Sequence, residues 1–268
     1  MLDNHDKNNM KSPLRYPGGK TRACNILDHI LNTYFDLSTI DTLISPFFGG
    51  GSFEIYVHRK YGFNVIANDK FNPLYTFWKH CIQNPEELAT SITTFGRITK
   101  ERFLSIRRGI LEETDSLIKA SMYFILNRCS FSGSTMSGGF SMEASTKRFT
   151  PSCIERIRQL QLHRFSISNI DFEPFLDNNY HVNSILFVDP PHHIDHHLYG
   201  FNGDLHEDFD HERLYMCLKN HSRWILTYND CEYIRTLYRE YTIIDASWTY
   251  GMNRSKKSSE IVILSVKE

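Results

Sequence analysis

The chain has 268 residues, of which 41% are hydrophobic, so it is long enough to bury an apolar core without disulfides or a structural metal. A formal net charge of -1 at pH 7 gives no overall sign of a nucleic-acid partner. The polar N-terminus, and the lack of an apolar run near the roughly 20 residues that a spanning helix needs, exclude a membrane-spanning or exported protein. Composition therefore predicts a soluble protein of the cytoplasm, or of a host cell interior if the source is viral.

Seven short apolar segments rich in β-branched residues predict β-strands, and most are separated by helix-length stretches. Several lack polar alternation, which is typical of strands covered on both faces, so the predicted fold is α/β with a Rossmann-like, doubly wound, mostly parallel sheet. Only the polar stretch 250–259 separates the last two strands, which predicts that the last strand is antiparallel. The predicted strands are Thr42–Phe47, Asn64–Ala67, Phe165–Ile170, Ser184–Val188, Trp224–Thr227, Thr242–Ala246 and Glu260–Val266.

The second and third predicted strands are separated by far more than the roughly two to six residues of an ordinary α/β connection. This excess predicts an inserted, mainly helical subdomain at residues 81–163, within a core formed by residues 1–80 and 164–268. From Arg97 to Arg164 the chain carries twelve Lys or Arg and six Asp or Glu, so the insert is basic. A solvated helical surface explains that charge as well as a partner does. The predicted helices are Pro85–Thr93, Thr99–Glu113, Ser116–Arg128 and Pro151–Leu162.

A glycine-rich turn follows the first predicted strand and precedes a helical stretch, in the segment 46–53. Glycines such as Gly49 and Gly51 let the backbone turn tightly and approach a ligand closely. The next strand ends at Asp69, where a carboxylate can accept hydrogen bonds from both ribose hydroxyls of a nucleoside. This order of elements predicts a nucleoside-binding unit, in which a glycine turn follows the first strand and an acid ends the second.

A second turn, Asp189-Pro190-Pro191-His192, directly follows the apolar strand at 185–188. The two prolines end the strand and stiffen the turn. The Asp189 carboxylate and the Pro190 carbonyl are acceptors for the two hydrogens of an amino group, and a planar ring beside them can stack on a base. This turn predicts chemistry at an amino nitrogen.

The segment 12–20 (S-P-L-R-Y-P-G-G-K), the glycine turn, Asp69 and the D-P-P turn follow the order and spacing of Dam-like DNA adenine methyltransferases. The resemblance covers nearly the whole chain and includes N-I-D-F at 169–172, L-Y-G-F-N-G at 198–203 and L-T-Y-N-D at 226–230. It implies transfer of a methyl group from S-adenosyl-methionine to the exocyclic amino group of an adenine that is flipped out of duplex DNA.

The resemblance also implies which residues bind the cofactor. Asp69 would hold the ribose, and Asp171 with Phe172 would bind the adenine ring. Tyr16 and Lys20 would contact the methionine end. The full set of implied cofactor-binding residues is Tyr16, Lys20, Phe48, Gly49, Gly51, Asp69, Asp171, Phe172 and Asp189.

At the target base, the resemblance implies a catalytic turn of Asp189, Pro190, Pro191 and His192 that orients the amino group. The insert resembles a target-recognition domain, which gives its basic charge a reason, because neutralised phosphates supply most non-specific DNA affinity. The resemblance leaves open the recognition sequence, a cognate restriction endonuclease, and whether the protein is a monomer or a weak dimer. The DNA-binding residues implied by an N-R-x-x-F-x-G pattern are Asn127, Arg128, Phe131 and Gly133.

The family turn usually ends in Tyr or Phe, whereas this chain has His192. An imidazole is smaller, and its protonated form would place positive charge beside the reacting amino group. The hypothesis is weaker or pH-dependent methylation, and the first alternative is a weakened relative that binds DNA and cofactor. Methylation of a cytosine amino group is a second alternative, although that family usually has Ser in place of Asp189. A plain nucleoside-binding protein of the same fold is a third.

Histidines are concentrated just after this turn, at 192–197, and at His206 and His211. Adjacency in a loop does not supply the closed geometry of a metal centre, so no metal site is predicted there. The three tryptophans, Trp78, Trp224 and Trp248, are predicted to lie in the core, since large aromatic side chains are mostly buried.

Overall fold

The computed structural model describes residues 11–16, 19–193, 209–249 and 257–266. Over those residues the predicted α/β class is confirmed, with seven strands in one sheet. The strands are β1 Thr42–Ser45, β2 Asn64–Asn68, β3 Phe165–Ser168, β4 Ser184–Val188, β5 Trp224–Asn229, β6 Thr242–Thr249 and β7 Lys257–Leu264.

The strand order is β3-β2-β1-β4-β5-β7-β6. The first five strands run parallel to one another, and β7 runs antiparallel to both β5 and β6. This arrangement confirms the predicted antiparallel last strand. Only residues 250–256 separate β6 from β7, too few for the crossover that a parallel pair needs. The order reverses between β1 and β4, and in open α/β sheets such a switch point opens a crevice at the carboxyl ends of the strands.

Eleven α-helices cover the described parts of the chain. The four helices predicted in the insert are present with somewhat different ends, and the structure adds one that was not predicted, Met142–Lys147. The helices are α1 Cys24–Tyr34, α2 Ser52–Tyr61, α3 Asn72–Gln83, α4 Pro85–Thr94, α5 Lys100–Gly109, α6 Ser116–Cys129, α7 Met142–Lys147, α8 Pro151–Gln159, α9 Phe172–Asn179, α10 His211–Leu218 and α11 Glu232–Leu237.

The sheet is covered on both faces because its central strands are apolar throughout. All five residues of β4 are buried. Successive side chains of a strand point to opposite faces, so Ile185 and Phe187 join a cluster with α1, α2 and the insert, whereas Leu186 and Val188 join a cluster with α9, α10 and α11. An uninterrupted apolar strand therefore supplies two separate cores.

The insert packs around α6, in which every residue from 120 to 129 is buried. Asp115 starts this helix by accepting hydrogen bonds from the N–H groups of Leu117 and Ile118, at 2.8 and 3.0 Å. The apolar side chains of the insert belong to the same cluster as the first face of the sheet. The division at residues 81–163 stays a prediction, and α3 runs across its first boundary.

All three tryptophans are buried, as predicted. Trp78 also donates a hydrogen bond of 2.9 Å to the carbonyl of Gly49 and so ties α3 to the glycine turn. No helix in the described residues is long and apolar enough to cross a membrane. The L-Y-G-F-N-G segment at 198–203, and most of the histidine-rich stretch, lie outside the described residues.

Candidate active site

A cavity of about 440 Å³ opens at the switch point between β1 and β4. Its wall combines the segment before α1, the residues that follow β1, β2 and β4, and the start of α9. Twelve residues implied by the sequence line it: Tyr16, Lys20, Phe48, Gly49, Gly51, Asp69, Asp171, Phe172, Asp189, Pro190, Pro191 and His192. The tertiary structure thus brings the two predicted turns to one cavity.

The glycine turn is required by packing within the protein. Gly49 and Gly51 have positive φ angles of 50° and 62°, which favour glycine. A Cβ at Gly50 would lie 2.7 Å from Cβ of Tyr16, and one at Gly51 would lie 2.7 Å from the ring of Phe48. The glycines therefore let two aromatic side chains press against the turn and form the cavity wall.

Asp69 is fixed at the end of β2 by backbone groups. Its two carboxylate oxygens accept hydrogen bonds of 2.9 Å from the N–H groups of Gly49 and Phe71. Burial raises the pKa of Asp69 to about 6, although these two hydrogen bonds favour the ionised form. The carboxylate is therefore mostly ionised near pH 7 and gains a proton as the pH falls through about 6.

Asp189 forms an ion pair across the cavity wall with Lys20. The Lys20 ammonium lies 2.7 Å from Oδ1 of Asp189, and its side chain is only 3% exposed. The hydroxyl of Thr227 on β5 donates to the same oxygen at 2.6 Å. Lys20 also lies 5.7 Å from the centre of the Trp248 ring, within cation–π range. These contacts hold the carboxylate of the D-P-P turn in one orientation.

Glu54 on α2 is a second acid at this cavity, and the sequence reasoning missed it. It is buried, and Ser45 donates a hydrogen bond of 2.7 Å to it. Burial raises the pKa of Glu54 to about 8, and the nearby charge of Asp189 adds to the rise. Glu54 is therefore mostly neutral near pH 7, which leaves the Lys20–Asp189 pair without a competing carboxylate.

Three aromatic rings, Phe47, Phe172 and Phe209, meet at the other end of the cavity. Their centroids lie 5.4 to 5.7 Å apart. Arg213 on α10 places its guanidinium 4.4 Å from the Phe172 ring centre and donates a hydrogen bond of 2.7 Å to Asp171. Phe209 and Arg213 carried no local signal in the sequence. The three rings form an apolar part of the cavity wall, with the Asp171 carboxylate beside it.

The D-P-P-H turn is anchored to the antiparallel side of the sheet. Asn229 at the end of β5 donates a hydrogen bond of 2.8 Å to the carbonyl of His193. His192 places Nε2 3.8 Å from a carboxylate oxygen of Glu260 on β7, a side chain that is 1% exposed. The histidine that departs from the family motif therefore has an acidic partner, which the sequence did not indicate.

Asn127 and Arg128 are both buried. The Asn127 side chain accepts from the N–H of Arg15 at 2.8 Å and donates to its carbonyl at 2.9 Å, much as a neighbouring strand would. Arg128 donates to the carbonyls of Pro13 and Arg148. Both residues join the insert to the segment before α1, so the geometry gives them a structural position.

Gly133 packs against the same segment, with φ of 75° and no room for a side chain. A Cβ there would lie 2.3 Å from the carbonyl oxygen of Arg15. Phe131, in contrast, is 68% exposed. Of the four implied DNA-binding residues, only Phe131 presents its side chain to solvent.

The loop after Gly133 reaches the cavity. Ser134, Thr135 and Met136 line it together with residues of the core. Thr135 has a positive φ of 50°, which is uncommon for a β-branched residue. The hydroxyl oxygen of Ser130 helps to hold this conformation by accepting a hydrogen bond of 3.1 Å from the Thr135 N–H. The insert therefore contributes to the cavity wall.

A family model for D12 class N6 adenine-specific DNA methyltransferases matches residues 16–252. The matched range includes every residue that lines the cavity. No curated protein matches the chain.

Proposed function

This chain belongs to the D12 class N6 adenine-specific DNA methyltransferase family, and on that premise we propose how its cavity serves the reaction. The enzyme methylates the amino nitrogen of adenine in DNA. We propose that the methyl donor is S-adenosyl-methionine and that the target adenine enters the cavity flipped out of the duplex. The observation that supports this most is that one cavity joins the nucleoside-binding turn to the D-P-P-H turn.

The carboxylates and aromatic rings that line the cavity suit this cofactor. Asp69 offers a carboxylate for the ribose hydroxyls. Phe47, Phe172 and Phe209 give the cavity an aromatic wall that suits one face of a flat adenine ring, and Asp171 beside them can accept a hydrogen bond from an amino group. When bound, the cofactor supplies a methyl group already activated by a sulfonium. The protein is left with the tasks of binding and orientation.

Asp189 and the Pro190 carbonyl would orient the target amino group. Among the described residues, the hydrogen bonds to Asp189 from Lys20 and Thr227 both end on Oδ1. Its Oδ2 then serves as the acceptor for one amino hydrogen, and the Pro190 carbonyl serves for the other. Holding the nitrogen in one orientation lowers the entropic part of the barrier, and the carboxylate favours the positive charge that the nitrogen gains.

The position of the acceptors inside the cavity supports base flipping. An adenine inside a duplex is stacked and paired, so a wall of protein cannot surround its amino group there. Extruding the base costs a few kcal/mol, which contacts with the DNA backbone must offset. The basic insert provides a source of such contacts, through phosphates rather than base edges.

We expect Phe131→Ala to weaken binding to duplex DNA by about 5- to 150-fold, which corresponds to the range of about 1–3 kcal/mol for one aromatic ring stacked on a base. Its exposed ring on the insert suits a contact with an unstacked base step. The measurement is DNA affinity at fixed salt. Leu111→Ala is the matched control, since Leu111 is also an exposed apolar residue of the insert, at 53%. Equal affinities for the two variants would remove Phe131 from the interface.

Binding of the cofactor product, S-adenosyl-homocysteine, should weaken as the pH falls through about 6, because Asp69 then gains a proton and loses an acceptor. Calorimetric titration of the protein across this range measures the effect. Asp69→Asn should bind about 10- to 100-fold more weakly near pH 7, given about 1.5–3 kcal/mol for a hydrogen bond to a charged group, and should lack the pH dependence. Asp245→Asn, at an 82% exposed side chain, is the control. A parent affinity that is constant with pH would contradict the assignment.

The first test of the function is transfer of labelled methyl groups from S-adenosyl-methionine to unmethylated duplex DNA, with the product nucleosides identified. N6-methyl-2′-deoxyadenosine as the labelled product supports the proposal. The specific observation that favours a second candidate, a weakened relative that binds without turnover, is His192. Binding of both cofactor and DNA with no labelled product would select that candidate.

A further inference from the structure

The turn that carries His192 is fixed at three points. Thr227 holds Asp189, Asn229 holds the carbonyl of His193, and Glu260 lies 3.8 Å from the His192 ring. Asn229 and Glu260 are direct partners in the register of β5 and β7. Two paired residues of β5 and β7 therefore hold the backbone of His193 and the side chain of His192.

The two side chains of the His192–Glu260 pair are both largely buried, at 18% and 1% exposed. Burying a carboxylate is costly unless a cation or hydrogen bonds accompany it. A protonated imidazole offsets that charge, whereas the phenol or benzene ring usual at this position carries none. The environment at position 192 is therefore matched to histidine.

We propose that Glu260 is a positioning residue of the target-base site, which pairs with the imidazolium form of His192 and holds its ring against the cavity. The inference rests on the proposed function, since it assigns His192 to the wall that receives the adenine. If Glu260 has this role, His192 replaces the usual Tyr or Phe together with a carboxylate that suits it. The histidine then does not indicate loss of activity.

Other charged or titratable groups share the cavity with His192 and bear on its protonation. Asp189 of the same turn also favours the imidazolium, and Lys20 at the start of the chain opposes it. Asp210 and Arg213, beside and on α10, have opposite charges, and Glu54 on α2 is mostly neutral. Glu260 is the carboxylate that lies within ion-pair distance of the ring among the described residues.

The direct test is the titration of His192 followed by proton NMR of its ring, assigned by the signal that disappears in His192→Gln. We expect Glu260→Gln to lower the pH at the midpoint of this titration by about one unit, because a buried opposite charge favours the protonated form. Glu143→Gln, which removes an exposed carboxylate, should leave it unchanged. An unchanged midpoint in Glu260→Gln overturns the inference, whatever the activity.

Methyl transfer gives a second test. His192→Tyr should lower the rate at least about tenfold, because it removes the ion pair between Glu260 and the imidazolium that holds the ring in place. Combining it with Glu260→Gln should restore most of the loss. A faster His192→Tyr enzyme, or losses that simply multiply in the double variant, would overturn the inference. An inactive parent would instead count against the proposed function, and the NMR titration would still decide the pair.

If Glu260→Gln does not fold, the parent and His192→Gln suffice. An ion pair that favours the imidazolium stabilises the folded protein at acidic pH, and this stabilisation is lost as the pH rises and the ring loses its proton. The melting temperature of the parent should exceed that of His192→Gln by more near pH 6 than near pH 8. The same difference at both pH values counts against the pair.

Discussion

Asp189→Asn should lower the rate of methyl transfer by at least about 10²-fold, the usual loss when one preorganised polar group is removed from an active site. The amide keeps one oxygen for Lys20 and Thr227, which donate at 2.7 and 2.6 Å, but it lacks the second negative oxygen that accepts from the target amino group. Turnover with saturating DNA and cofactor measures the effect. Affinity for DNA should change little, because the substitution does not touch the insert.

Stability must be measured with this variant, since Lys20 is 3% exposed and depends on the carboxylate for its charge partner. Thr227→Val is the matched control, because it removes one hydrogen bond to Asp189 and leaves the carboxylate in place. It should retain much more activity than Asp189→Asn. Full activity in a folded Asp189→Asn protein would show that another group orients the target nitrogen.

Gly133→Ala should destabilise the protein by about 2–5 kcal/mol and reduce methyl transfer in parallel. A Cβ at this position would lie 2.3 Å from the carbonyl oxygen of Arg15 and 2.8 Å from its Cβ, so backbone must move. The Arg15 segment is the one that Asn127 holds through both of its backbone groups. Denaturant unfolding with an activity assay measures both effects.

Gly62→Ala separates the clash from the backbone strain. Gly62 has the same φ of 75°, at the end of α2, but nothing lies within 4 Å of a Cβ there. It should cost only about 1–2 kcal/mol, the strain of a left-handed alanine, and leave activity near that of the parent. Similar losses of stability in the two variants would mean that the close contact between Gly133 and Arg15 does not contribute to the stability of the protein.

The amino-acid sequence determined the element types and the positions of the main acids. The strands could be predicted because apolar runs such as Ile185 to Val188 are local patterns, and the antiparallel end followed from a connection too short for a helix. Asp69 and Asp189 could be placed at one edge of the sheet because the carboxyl ends of parallel strands share that edge. The order and spacing of the motifs indicated the family, and the resemblance implied the roles of the site residues.

Only the tertiary structure decided which side chains pair. Lys20 and Asp189 are 169 residues apart, and Asn127 and Arg15 are 112 apart, so no local pattern connects them. The same holds for Glu260 beside His192, whose proximity depends on the register of β5 and β7. The family pattern implied a DNA-binding role for Asn127, and only the folded structure shows that its side chain is buried and hydrogen-bonded to the backbone of Arg15. A residue type and its spacing define what a group can do, but a charge or hydrogen-bond partner is set by distances that arise when remote segments pack together.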